Sequence, residues 1–201
     1  DHTKRLAMTH GLDEVRIQKQ WKEIDEVNKR LKASGTKFKV LKGTECDILK
    51  DGSMDLPDEI LAKCEVVGAS VHSLFNLSRK DQTDRIKRAM SNPNVDIIFH
   101  PTGRILNKRE SYDVHMEELI KHAKKTNTIL EINASDRSDL KDEYIKKCVE
   151  AGVKMSVDSD AHHFFHYEWL EYGIAQARRG WAEKKDIINV WPLEKMLKIL
   201  K

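Results

Sequence analysis

The stretch Val66-Val67-Gly68-Ala69-Ser70-Val71-His72 is an apolar run that ends on a histidine, and Val95-Asp96-Ile97-Ile98-Phe99-His100 repeats the pattern. Between them, Asp81 to Met90 predicts a helix. Short apolar runs without strict alternation suit strands buried on both faces, as in parallel sheets, and parallel strands need a crossover between them. To the N-terminal side, Phe38 to Leu41 predicts a strand running out near Gly43-Thr44-Glu45. Thr128 to Asn133 predicts another, and Lys154 to Ser159 a last one leading into Asp160-Ala161-His162. Further helices are predicted over Pro57 to Lys63, Tyr112 to Lys125, Asp139 to Ala151, Glu168 to Arg179 and Leu193 to Leu200. Ahead of them all, Gly11-Leu12-Asp13 opens a helix with the apolar stripe Val15, Ile17, Trp21, Ile24, Val27 and Leu31, stopped at Ser34-Gly35. Strand and helix alternate about five times, so the expected fold is α/β in one domain, residues 1–201.

The 201 residues are 39% hydrophobic and 34% charged, enough for one sizeable core under a heavily solvated surface. No apolar run reaches the roughly 18 residues of a membrane span, and no signal peptide is visible. The balance of 36 basic against 33 acidic residues gives a net charge of +3. That permits a polyanionic substrate but falls short of the lopsided charge of a dedicated DNA-binding domain. Cys46, Cys64 and Cys148 are widely spaced with no CxxC pair, the pattern of reduced cytosolic thiols, so a cytoplasmic location is expected. The chain starts at Asp1-His2 without an initiator Met, and the expectation is a fragment of a longer chain.

The predicted strands end at Glu45, His72, His100, Asn133 and Asp160/His162. Parallel α/β architectures place their active sites at the carboxyl ends of strands. Charged groups there must be paired or coordinated, because burying them alone is costly. His and carboxylate ligands without Cys suit Zn²⁺, Mn²⁺ or Fe²⁺. Ligands from several strands suit a multinuclear site, which can clamp a phosphoryl group, activate water and stabilise the leaving oxygen. Singly these residues say little: a lone His72 is more often structural, and a lone Glu45 more often a solvated carboxylate. Asp160 and His162, two apart in an extended segment, share a face. Arg104 could grip a substrate phosphate bidentately or form a structural salt bridge. Asn133 could orient a ligand or water, and Ser73 could touch substrate. His163 and His166 are expected in a solvated loop, His10, His115 and His122 on the surface, and Trp169 and Trp191 in the core. Arg178, Arg179 and Trp181 are expected to pack at a helix end rather than form a nucleic-acid patch.

Nine stretches carry a resemblance: Asp1-His2, Gly11-Leu12-Asp13, Gly43-Thr44-Glu45, Asp55-Leu56-Pro57, Ala69-Ser70-Val71-His72-Ser73, His100-Pro101-Thr102-Gly103-Arg104, Glu131-Ile132-Asn133, Ser159-Asp160-Ala161-His162 and Ala177-Arg178-Arg179-Gly180-Trp181. The chain resembles the polymerase and histidinol phosphatase (PHP) domain, in the version found at the C-terminus of bacterial and archaeal family X DNA polymerases. The resemblance implies a distorted TIM-like barrel of seven βα units holding three metals, Mn²⁺ or Zn²⁺. The family's opening His-x-His pair matches nothing here, so the first strands are expected to be missing. The ligands that carry over are His2, Glu45, His72, His100, Asp160 and His162, with Glu45 and Asp160 as catalytic carboxylates. By the same resemblance Glu45, His72 and His100 hold one metal, Glu45 and Asp160 share a second, and His2 and His162 belong to a third. One well-formed site is expected in this chain. Asp158 departs from the family, where Asn is common, and the loop after Asn133 is slightly short. The implied activity is 3′–5′ exonuclease-type hydrolysis at DNA ends in DNA repair. The implied partners are DNA 3′ ends and upstream polymerase domains, with no membrane. The alternatives are a small-molecule phosphatase of the histidinol phosphatase type and a metal-stabilised, non-catalytic scaffold domain.

Overall fold

Five strands lie side by side in the order in which the chain makes them: β1 (Gly43–Asp47), β2 (Val66–Ser70), β3 (Ile97–Ile98), β4 (Ile129–Asn133) and β5 (Met155–Asp158). Every pairing is parallel. The crossovers carry α2 (Asp58–Leu61), α3 (Arg79–Met90), α4 (Met116–Thr126) and α5 (Asp142–Ala151). Helix α1 (Glu14–Ala33) precedes the sheet, and α6 (Leu170–Arg179) and α7 (Leu193–Ile199) follow it. The structure is a computed structural model and describes residues 1–5 and 9–200. Single parallel bridges, His2 with Glu45 and Met155 with Ile187, extend the pairing beside β1 and β5. Among the described residues no helix is long and apolar enough to cross a membrane.

The strands are buried as their unalternated apolar sequences require; all five residues of β4 are buried. Helix boundaries follow local chemistry. The Asp13 carboxylate caps α1 by accepting from the backbone N–H groups of Val15 and Arg16, and Ser78 caps α3 at Asp81. Asn127 and Gly152 end α4 and α5 in the left-handed conformation. Gly68 serves packing: a Cβ there would lie 1.9 Å from the Phe99 ring. Arg85 of α3 is wholly buried. Its guanidinium donates to the carbonyls of Leu49 (2.8 Å), Ser73 (2.9 Å) and Ile48. It thereby ties together the segments that leave β1 and β2.

Three local expectations are corrected. The first strand is Gly43–Asp47, not Phe38 to Leu41. The preceding segment is held instead by Asn28, whose side chain exchanges two 2.8 Å bonds with the Val40 backbone. The stripe of α1 buries only Ile17 and Trp21; Val15 and Val27 face solvent. Trp181 does not pack at its helix end but is 74% exposed, and Trp169 and Trp191 are half-buried.

Candidate metal centre

The carboxyl ends of the strands bring the histidines and carboxylates together. Glu45 of β1 stands at the centre. His100 Nε2 lies 2.9 Å and His72 Nε2 3.1 Å from Glu45 Oε1, and His2 Nδ1 lies 3.6 Å from Oε2. His2 reaches this position because its backbone bridges to Glu45 beside β1. The ring centroids of His2 and His72 are 4.9 Å apart, and those of His72 and His100 5.2 Å. Asp160 and His162 form the second half of the cluster, with 3.3 Å between His162 Nε2 and Asp160 Oδ1. The His162 ring faces that of His2 at 6.2 Å. A cleft of about 810 Å³ is lined by His2, Glu45, Asp160 and His162. A smaller cavity of about 260 Å³ is lined by Glu45, His100, Glu131, Asn133, Asp158 and Asp160. Glu45 and Asp160 border both.

Two of these residues sit in the left-handed backbone region, His100 at φ 31° and Asp160 at φ 50°. That conformation is uncommon for side chains other than glycine and concentrates at functional sites. It turns each residue off its strand end and aims the side chain across the mouth of the sheet.

Electrostatics sort the buried carboxylates into two kinds. Burial opposes ionisation of Glu45, but hydrogen bonds from His100 and His72 outweigh it and hold its pKa well below the ordinary value. Asp160 is also lowered: burial and Glu45 oppose it, while Asn133, His100 and Arg137 favour its charge. Glu131 and Asp158 go the other way. Burial pushes Glu131 well above the ordinary range, with Asp158, Asp160 and Glu45 adding repulsion. Asp158 is raised mainly by burial. Burial disfavours charge on His72, yet bonds with Asp47 and Glu45 prevail and raise it to about 9. His2 is lowered, chiefly by burial.

The residues fit a divalent cation. His2, Glu45 and His72 offer ligand atoms all within 4.8 Å of one another. The Nδ1 atoms of His2 and His100 are buried without a hydrogen-bond partner. Imidazoles gathered on one carboxylate, with two ring nitrogens unsatisfied, are a donor set for a metal ion. His2 stands between the two halves of the cluster, its ring edge-on to His72 at 4.9 Å and facing His162, with which the resemblance groups it, at 6.2 Å.

Asn133 uses its whole amide. It donates to Glu131 Oε2 and to Asp160 Oδ2, both at 3.2 Å, and accepts from Ser135. Arg104 forms no ion pair among the described residues. Its guanidinium donates to the carbonyls of Arg137 (3.0 Å) and Ser138, bracing the loop after β4. Ser73 offers its carbonyl to Arg85. Three further residues join the candidate site. Asp47 accepts from His72 Nδ1 at 2.9 Å, leaving Nε2 toward Glu45. Glu131 accepts from the backbone N–H of His100. Arg137 Nε lies 3.2 Å from Asp160 Oδ2, and its Nη1 is buried without a partner. Asp47 and Glu131 were legible: each is two residues from a named site residue on a strand, hence on its face. Arg137 lies in an irregular loop, where no periodicity points to it.

No family model matches the chain. It is 40% identical over 202 residues to the DNA polymerase/3'-5' exonuclease PolX of Bacillus subtilis (strain 168), a match covering all of this chain and 35% of that protein. It is 36% identical over 161 residues to a probable phosphatase of Thermoanaerobacter sp. (strain X514), covering 75% of this chain and 63% of that protein. A probable phosphatase of Clostridium novyi (strain NT) is 32% identical over 136 residues, covering 63% and 53% respectively. The chain thus spans from about a third to under two thirds of the length of these relatives.

Proposed function

We propose that this chain is a metal-dependent phosphoesterase of the PHP type that hydrolyses phosphodiester bonds at DNA 3′ ends. The observation that carries this reading is the convergence of His2, His72 and His100, from three separate segments, on Glu45, with Asp160 and His162 alongside. The likeness over the whole chain to an exonuclease-bearing polymerase supports DNA as the substrate. In this reading residues 1–201 form one domain working beside polymerase domains in the cytoplasm, in DNA repair. The five-strand sheet is then part of a seven-unit barrel closed by further strands.

Mn²⁺ or Zn²⁺, held by His2, Glu45 and His72 and by His100, Asp160 and His162 around them, would supply Lewis acidity to a phosphoryl oxygen and activate water. The chain's own residues do the rest. Asp47 holds His72 in the tautomer that presents Nε2 to Glu45. Asn133 and Arg137 fix the Asp160 carboxylate. Arg137 has a buried Nη1 with no partner in the protein, the donor this reading gives to a non-bridging phosphate oxygen, the role that the sequence alone suggested for Arg104. Glu131 anchors the His100 backbone, and its burial raises its pKa and so disfavours negative charge there against an anionic substrate.

The test is release of 3′ nucleotides from labelled single-stranded DNA with Mn²⁺, run beside histidinol phosphate, using the full-length protein that carries this chain. Turnover of DNA that is lost in Glu45→Gln is expected. A protein that binds Mn²⁺ yet leaves 3′ ends intact would overturn the reading. Preferential turnover of histidinol phosphate would move it to the small-substrate branch, which the matches to probable phosphatases favour.

A further inference from the structure

Immediately after Asp160 and His162 the chain makes a single 3₁₀ segment, Phe164–Trp169, in which no residue is buried. Phe164, Phe165 and Tyr167 expose 65%, 59% and 63% of their surface. A loop that only connects β5 to α6 has no need of three exposed rings, and clustered exposed apolar surface marks a binding site. The rings are pre-arranged. Those of Phe164 and Phe165 are 4.0 Å apart, and His163 lies 4.3 Å from the first and 5.1 Å from the second.

The segment is also tied to the metal centre. The backbone N–H of His162 donates to His166 Nδ1 at 3.1 Å. The His166 ring in turn stacks on Trp169 at 3.9 Å with 14° between planes. His163 Nδ1 accepts from the backbone N–H of Phe165. A displacement of the aromatic turn therefore moves His162, and the reverse. From His162 to Phe164 the chain spans at most about 7 Å, the scale of one nucleotide.

We propose that Phe164 and Phe165, with Tyr167 beside them, form a stacking platform for an unpaired nucleobase of the strand whose phosphate lies at Glu45 and Asp160. This deepens the phosphoesterase reading and rests on its placing of the phosphate. An uncharged aromatic face joined to a phosphate is what this juxtaposition matches. A small phosphate ester leaves the rings wet, and three rings fall well short of the area of a stable protein interface, about 800 Å² per partner. Stacking on exposed rings is sequence-tolerant, so the platform serves any 3′ end.

The experiment compares the parent protein with Phe164→Ala/Phe165→Ala and with Phe164→Trp/Phe165→Trp. Two oligonucleotides are used, one intact and one abasic over its last two positions. Kd is measured without turnover in Ca²⁺, and KM and kcat in Mn²⁺. Ring removal is expected to raise Kd and KM for the intact strand about 5- to 100-fold. It should leave kcat largely unchanged and affect the abasic strand less than about twofold; tryptophan should restore tight binding. Equal weakening of both strands, or no change in either, overturns the platform. No change in binding together with altered association of the protein assigns the rings to a protein contact and overturns it as well. Ring-dependent binding without hydrolysis removes the phosphoesterase reading and leaves the platform standing.

Discussion

Asp47→Asn isolates what holds the metal centre in order. The substitution keeps the shape of the side chain that accepts from His72 Nδ1 at 2.9 Å but removes its charge. With Asp47 and Glu45 as partners, His72 titrates at about 9. A metal ion binding at pH 7 must then displace a proton held about two units above ambient pH, a penalty of roughly 100-fold in affinity. That penalty shrinks about tenfold per pH unit and disappears above pH 9. Mn²⁺ affinity of the parent should therefore rise close to 100-fold from pH 7 to 9. In Asp47→Asn the His72 pKa falls toward its ordinary 6.5, and the dependence between pH 7 and 9 flattens. Above pH 9, where proton competition fades in both proteins, the variant should still bind about 10- to 100-fold more weakly, because a neutral amide orients the ring less firmly and makes it a less basic ligand than a carboxylate does. Chelator competition across pH 6.5 to 9.5 gives the affinities, and NMR titration of the metal-free protein gives the His72 pKa. A flat parent profile from pH 7 to 9, or a variant that keeps the parent slope, would refute the reasoning.

The same shift sets the stability of the metal-free protein. The folded pKa of His72 is raised, so its contribution is complete below pH 6.5 and is lost as pH rises through about 9. Denaturant melts in chelator should show a loss of about 3 kcal/mol between pH 6.5 and 9.5, most of it absent from Asp47→Asn. Arg85→Met strips three carbonyls of their donor inside the core and should cost about 3–5 kcal/mol; a loss under about 1 kcal/mol by denaturant unfolding would show that the clamp is not structural. Arg137→Lys should lower kcat/KM on a phosphodiester about 10- to 100-fold while Mn²⁺ affinity stays within a few-fold; an equal fall in metal affinity would make Arg137 a support for Asp160 and nothing more.

The parallel sheet was legible because buried strands lose their alternation, and Val66 to His72 and Ile97 to His100 have none. The candidate site was legible because functional groups in such sheets gather at the carboxyl ends of strands, and here those ends carry histidines and carboxylates. What escaped has physical causes. The β1 boundary slipped because Asn28, twelve residues before Val40, satisfies that segment's backbone from a helix. Side-chain-to-backbone bonds of this kind leave no periodic trace. Arg85 reads as an ordinary solvated residue of α3; nothing in its own sequence says that two loops fold over it. Arg104 braces a loop and Arg137, for which no role was expected, reaches the site for a similar reason. Both follow strand ends by a few residues, and only the fold decides which guanidinium braces the other's loop and which meets Asp160.

The sorting of carboxylates bears on what the cluster is for. A fold that needed only to close the mouth of its sheet would pair each acid with a base or replace it. Here the pKa values of Glu45 and Asp160 are held below their ordinary range amid histidines, while those of the buried Glu131 and the half-buried Asp158 beside them are pushed up. Environments that push neighbouring titratable groups apart are the mark of assigned roles. Glu131 in its neutral form still orders the site, because it binds the His100 backbone and the Asn133 amide that reaches Asp160. Its raised pKa disfavours one more negative charge in a mouth that, in the proposed function, admits a phosphate. Glu131→Gln preserves that neutral shape, whereas Glu131→Ala removes the anchor. If the glutamine variant lost metal binding as fully as alanine does, Glu131 would have to be charged, and a donor, in the working site.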